Sequence, residues 1–315
     1  MSIVAVGSSC IDEILFVNEY PQEDRKIRSN GREIRRGGNA ANTSEVLSRL
    51  GNKSIHFVGT IGAAKYIVKT QEEQKQHIVL DSLSSCHVST FGCHHVPESL
   101  HNIATIILSQ SNASRTVVST NELRELYFQE FLISLLKIQS ENDPTLDVSN
   151  LNIQELQSLM LQKDMSKIQW IHFEGRNNVI EMRKMMEWII NVNEKSLVNH
   201  KIRMSLEIET RRAGDLTTLI SYLDYIFFSY DFSKICGFED VSEFLLHQQK
   251  SAPKHSFLVC TMGSKGAQGI QGLISFFSTF FLLFFFFFFF SFFLFFFFFF
   301  LFIFSVTLLI REINS

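Results

Sequence analysis

Short apolar runs punctuate the first 272 residues at intervals that helices would fill. SIVAVG (2–7), SIHFVG (54–59), IQWIHFEG (168–175), IRMSLEIE (202–209), DYIFFS (224–229) and SFLVCTMG (256–263) are brief, near-continuously apolar and bounded by turn residues, as strands buried on both faces are. Segments 39–50, 177–192 and 213–221 between them have helical length. This alternation predicts an α/β fold with a mostly parallel central sheet and helices on both sides, a three-layer arrangement. The runs ILFVNEY, KIRSNGREIRRG and FGCHHVPESLHNIATIIL have another texture, that of half-exposed antiparallel strands. They predict a small β-sheet lid within about 10–36 and 86–118.

Two stretches break the pattern. In 121–142, Leu123, Leu126, Tyr127, Phe131, Leu132, Leu135, Leu136 and Ile138 recur at helical spacing, which fits an added amphipathic helix and equally a mistranslated insert. From residue 273 to 310 there is no charge at all, and 21 of the 33 phenylalanines lie between Phe276 and Phe304. A bilayer core of roughly 30 Å needs only about 20 apolar residues. A 38-residue helix would run to about 57 Å, and a genuine span carries a wider alphabet with interfacial flanks. The preferred reading is a pyrimidine-rich non-coding tract carried into the coding sequence; the alternative is a membrane anchor. The expected organisation is one folded domain over 1–272 and a low-complexity hydrophobic tail over 273–315.

Composition narrows the function. With a net charge of −3 and a pI near 6.4 the chain carries no general basic field for nucleic acid or an anionic membrane. Five scattered cysteines without a C-x-x-C pair fit a reducing compartment, and the N-terminus lacks the basic region of a secretory signal. The expected location is the cytoplasm, or a membrane if 273–310 is an anchor. Cys93, His94, His95 and His101 in CHHVPESLH invite a metal site. Adjacent side chains on an extended segment point to opposite faces, so the expectation is no metal site and a lid strand with exposed histidines. Cys10 and Cys260 read as core residues.

The sharpest chemistry lies in RRGGNAANTSEVLSRLG (35–51). Gly37 and Gly38 allow a backbone that a ligand can approach closely. Asn39 opens a helix with Ala40, Ala41, Leu47 and Leu50 on its apolar side, and Gly51 ends it as a C-cap. Asn39 and Asn42 share a face of the first turn, and their amides suit neighbouring sugar hydroxyls. Asp12 and Asp24 supply acceptors for further hydroxyls. On spacing alone, a plain strand-to-helix turn with two solvated loop acids remains open.

VGSSCIDEILFVNEYPQED, RRGGNAANTSEVLSRLG, SRT, WIHFEGRN and VCTMGSKGA, in that order over about residues 3–270, resemble the ribokinase-type (PfkB) carbohydrate kinases, and among them the ketohexokinases. The resemblance implies a ribokinase-like fold, ATP and Mg2+ as cofactors, a homodimer through the lid, and a sugar, fructose in the first place, as substrate. It implies sugar contacts at Asp12, Gly38, Asn39 and Asn42, with Asp24 from the lid. Arg115 would lie near the nucleotide phosphates and Arg176 near the transferred group, where a guanidinium grips phosphate oxygens bidentately. Gly263, Ser264, Lys265 and Gly266 would line the nucleotide. Where the family carries N-x-x-E the chain reads Ser229-Tyr230-Asp231-Phe232, with its acid one place early. The family's closing G-A-G-D, which supplies the anion-stabilising turn and the general base, occurs nowhere in the sequence. The chain as written is therefore expected to be a nearly inactive kinase, or a sugar- or nucleotide-binding protein without catalysis held by a C-terminal anchor.

Overall fold

The computed structural model describes residues 2–51, 54–63, 67–69, 75–140, 151–162, 165–195, 201–212, 214–272 and 274–278. The chain divides into two compact units, residues 4–165 and residues 1–3 with 166–315.

From β1 (Ser2–Val6), of which residues 4–6 fall in the first unit, the chain passes through β2 (Cys10–Val17), β3 (Gly31–Gly37), α1 (Asn39–Leu50), β4 (Ser54–Val58) and β5 (Thr60–Ala63). It continues through β6 (Ile67–Lys69), β7 (Lys75–His77), α2 (Ile78–Ser85), β8 (Val88–Ser89), β9 (His94–Leu100), β10 (Ile103–Ser109), β11 (Arg115–Thr120), α3 (Phe128–Gln139) and α4 (Ile153–Leu161). β1, β4 and β8 lie side by side in that order. Val4, Ala5, Phe57 and Val58 are fully buried, as expected of strands covered on both faces.

A separate four-stranded sheet has the order β11-β10-β2-β3. It corrects the expected lid in two respects. β2 and β10 pair in parallel, because they are joined by a long crossover rather than a hairpin. His94–Leu100 is not part of this sheet: it pairs in parallel with β5, and the chain breaks at His101 and Asn102, both buried, before β10 begins. Of the 86–118 region, only the second half belongs to this small sheet.

α3 forms within the predicted insert, and Phe131, Leu132, Leu135 and Leu136 are fully buried. Its first turn is fixed by Glu130, which accepts from Tyr127 N–H at 2.9 Å and takes both amino groups of Arg124 at 2.9 and 2.5 Å. Leu123 and Leu126 are buried ahead of the helix, whereas Tyr127 is half exposed.

The second unit runs through β12 (Ile168–Glu174), α5 (Val179–Lys195), β13 (Arg203–Ile208), β14 (Tyr225–Ser229), α6 (Tyr230–Ile235), α7 (Val241–Gln249), β15 (Phe257–Thr261), β16 (Ala267–Gln271) and β17 (Ile274–Ser278). The four strands β12 to β15 are parallel neighbours in sequence order, and β16 and β17 extend the edge antiparallel. α5 buries Met182, Met185, Met186, Ile189 and Val192, the spacing of one helical face. The helix expected over 213–221 is instead a 3₁₀ turn, Leu216–Tyr222. Asp215 caps it by accepting from Thr217 N–H at 2.9 Å and Thr217 Oγ1–H at 2.6 Å, a local bond that competes with α-helical pairing. β17 occupies the start of the tail, and the remainder, 279–315, lies outside the described residues together with the anchor expectation. Among the described residues no helix is long and apolar enough to cross a membrane.

Candidate active site

β3 ends at Gly37 and α1 begins at Asn39, with β2 alongside. In the β2–β3 register Cys10 faces Gly37 and Asp12 faces Arg35. A Cβ on Gly37 would stand 2.1 Å from Asp12 Oδ1 and 2.7 Å from Oδ2, so the carboxylate occupies the volume a side chain would take. Gly38 has φ 98°, and a Cβ there would meet Ser8 O and Ser9 Cα, each at 2.6 Å. The glycine pair thus serves two separate needs, room for Asp12 and a left-handed turn into the helix.

Asp12 is largely buried. Desolvation pushes its carboxyl above the ordinary value; a hydrogen bond from the Cys10 thiol and the charges of Arg35, Arg36 and Arg115 work against that rise. Cys10 Sγ donates to Asp12 Oδ1 at 3.3 Å and Arg35 Nε lies 3.8 Å from Oδ2. Cys10 is accordingly half-buried beside Asp12, a correction to its reading as core; Cys260 is core, its thiol pushed up to about 12 by burial.

Asn39 and Asn42 are both half-buried in the first turn of α1. Asn42 Oδ1 accepts from Arg36 Nη1 at 2.7 Å. Gly38 is the N-cap residue and no side chain caps the helix. Leu50 is exposed and Gly51 has an extended backbone, φ −158°; Leu50 is thus off the buried stripe, and no left-handed C-cap forms. Arg115 opens β11 and is exposed. Asp24 is exposed in the loop between β2 and β3 with φ 59°.

In the second unit, Arg176 follows β12 and its Nη1 donates to Glu174 Oε1 at 3.0 Å. Glu174 faces Glu207 across the β12–β13 register, and both are buried. Burial, then the charges of Glu174 and Glu209, raise the Glu207 carboxyl well above its ordinary value, with Arg212 opposing. Arg212 Nε donates to Gly175 O at 3.1 Å. Residues 263–266 form the turn between β15 and β16, with Gly263 at φ 57° and Gly266 at φ 91°, closed by Met262 N–H to Gly266 O at 2.8 Å. Ser264 and Lys265 are exposed on it. Asp231 is exposed in the first turn of α6, capped by Ser229 Oγ accepting from Phe232 N–H at 2.9 Å.

The pfkB family carbohydrate kinase profile matches residues 1–273. The chain is a member of that family. The pfkB relative ketohexokinase of Mus musculus is 29% identical over 261 residues, 82% of this chain and 73% of the mouse protein. Among solved structures, ribokinase from Giardia lamblia (14% identity, TM-score 0.61, 86% of this chain and 72% of that one) shares the fold. So do Arabidopsis thaliana ribokinase complexed with ribose and ATP (16%, 0.58, 87% and 76%) and Xylella fastidiosa fructokinase with bound ATP (14%, 0.53, 87% and 76%). The fold is ribokinase-like α/β, and the family makes the chain a sugar kinase by descent.

For this pfkB member, Asp12, Gly38, Asn39 and Asn42 are on adjoining elements of one unit. Arg35, Arg36, Glu45 and Ser82 take part in the same network without being singled out by motif. Arg35 and Arg36 fall in the REIRR run that the pattern assigns to a half-exposed strand, and nothing in the sequence ties Glu45 or Ser82 to them. His101 is a further correction: it is buried rather than exposed, with its Nδ1 accepting from Gly62 N–H at 3.2 Å and its Nε2 3.2 Å from Ser9 Oγ. Burial, helped by His77, brings its imidazole down to about 4. Among the described residues no group of three His, Cys, Asp or Glu side chains is placed to hold a metal ion.

Proposed function

We propose that this chain derives from an ATP-dependent carbohydrate kinase that transfers the γ-phosphoryl group to a sugar hydroxyl, with fructose as the favoured sugar, and that as written it binds sugar but turns over very slowly. The observation that carries the sugar half is the seating of the Asp12 carboxylate in the space left by Gly37. A carboxylate held there accepts a hydrogen bond from a sugar hydroxyl, while Asn39 and Asn42 offer amide groups from the first turn of α1. The likeness to mouse ketohexokinase favours fructose over ribose. Arg115 and Arg176 would meet phosphate oxygens, with Glu174 holding the Arg176 guanidinium in one orientation. The turn at Gly263, Ser264, Lys265 and Gly266 would lie along the nucleotide, and Asp24 would close over the sugar from the lid, through which two copies would pair.

Mg2+ fits the residues only as an ion carried by the nucleotide. Among the described residues no cage of protein ligands converges, and Mg2+ is commonly held by one or two carboxylates plus substrate phosphates; the exposed carboxylate of Asp231 offers such an oxygen. When bound, the ion would neutralise charge on the transferring phosphate. The sequence carries no G-A-G-D, so no aspartate is identified to take the proton from the attacking hydroxyl. Loss of a general base costs about 10²–10⁴ in rate and of an anion-stabilising donor about 10²–10³. The five free cysteines support a reducing, cytoplasmic setting.

Equilibrium dialysis of radiolabelled fructose against the full chain, held in mild detergent, tests the sugar half. Saturable binding that Asp12→Asn weakens about tenfold or more supports it; equal binding by the wild type and D12N sinks it.

A further inference from the structure

Arg36 is a buried guanidinium between three partners that no motif reading connects. It sits on β3 directly before the glycine pair, with 4% of its side chain exposed. Its Nε donates to Ser82 Oγ on α2 at 3.2 Å, its Nη1 to Asn42 Oδ1 on α1 at 2.7 Å, and its Nη2 to Glu45 on α1. Glu45 Oε1 also takes Arg49 Nη2 at 2.7 Å. The fork is thus committed in three directions at once, which a single ammonium cannot reproduce.

This arrangement decides which end of the Asn42 amide is available. A guanidinium has donors only, and an amide NH2 group has donors only; turning the Asn42 side chain over would set N–H against N–H within a buried site. Oδ1 must therefore face Arg36. Among the described residues Asn42 Nδ2 has no hydrogen-bond partner, and the side chain is half-buried rather than sealed. The same Arg36 charge acts on Asp12, where it opposes the rise caused by burial.

We infer that Arg36 is a positioning residue for sugar recognition. It locks the Asn42 amide with Nδ2 outward, so that the sugar must present an acceptor oxygen at Asn42 while Asp12 accepts a hydrogen bond from a sugar hydroxyl. A ligand hydroxyl group can meet both demands, whereas a ligand atom that is a donor only is refused at Asn42. The inference rests on the sugar-binding reading given above.

The test is a double-mutant cycle on the full chain in mild detergent, with fructose affinity read by equilibrium dialysis and thermal midpoint read in parallel. Arg36→Met and Asn42→Ala are each expected to weaken fructose binding about tenfold. The double variant should bind no worse than N42A alone, because Arg36 acts through Asn42. Asn42→Asp is expected to keep the wild-type midpoint, since a carboxylate still accepts from Arg36, yet to lose affinity by about the same factor because the outward donor is gone. R36K should recover only part of the R36M loss. A wild type that binds fructose while the R36M and N42A losses simply multiply overturns this inference alone, as does an N42D variant with full affinity. A wild type that binds none of fructose, ribose or adenosine overturns the sugar-binding reading, and this inference with it.

Discussion

The contact between Asp12 and Gly37 sets the terms for the proposed sugar site. Gly37→Ala places a methyl where Asp12 Oδ1 stands, 2.1 Å away, and the carboxylate must move. The expected result is a loss of fructose affinity of about tenfold, roughly 1.4 kcal/mol, measured by dialysis beside the wild type. Gly38→Ala meets a different obstacle, a left-handed φ of 98° with backbone atoms at 2.6 Å, and should cost about 1–3 kcal/mol of stability by thermal melting. The two glycines were legible in the sequence as a pair, and so were Asp12, Asn39 and Asn42. Their division of labour was not, because only the register of β2 against β3 brings Asp12 under Gly37. Arg36 is not marked by the sequence for a related reason: only the folding of α1 and α2 brings Asn42, Glu45 and Ser82 onto its guanidinium.

Two elements carry further tests. α3 lies within a stretch that interrupts the α/β alternation, yet Phe131 is fully buried. Phe131→Ala should cost about 3–5 kcal/mol, and deletion of 121–142 should prevent folding; a deletion that leaves the thermal midpoint unchanged would show that the helix is dispensable. The apolar periodicity announced this helix, but its start at Phe128 depends on Arg124 and Glu130 meeting, which periodicity does not reveal. At the ends of β12 and β13, burial, with the charges of Glu174 and Glu209, pushes the Glu207 carboxyl well above its ordinary value. A carboxyl whose folded value lies above the usual 4.5 binds more protons when folded, so its contribution to stability is full below 4.5 and falls as pH rises through the folded value. Glu207→Gln should remove that fall, and the variant should match or exceed the wild type in thermal midpoint at pH 7. The strand LEIE gave no sign of this, since acids at strand ends look solvent-facing until the neighbouring strand brings a second glutamate into register.

At the scale of the molecule, each unit contains a buried histidine whose imidazole burial lowers to about 4, His101 in one and His172 in the other. Their unfolded value is near 6.5, so the folded protein binds fewer protons between 6.5 and 4 and loses stability as pH falls through that window. The loss is at most about 3.4 kcal/mol for each imidazole, and urea titrations from pH 7 to 4 should show the midpoint dropping, with His101→Gln and His172→Gln each flattening the curve. The parallel strands of the second unit, the small sheet and the pfkB membership were all readable from patterns along the chain; the mixed pairing within the small sheet was not, because pairing direction follows from the crossover rather than from any strand's own residues. The central claim is that the sugar half is intact while the segment for phosphoryl transfer is missing from the sequence. One calorimetric titration of fructose into the full chain, in detergent with ATP and Mg2+ present, tests it. The account predicts a saturable binding heat that returns to baseline after each injection. A sustained heat flow from continuing phosphoryl transfer, or no binding heat at all, would contradict it.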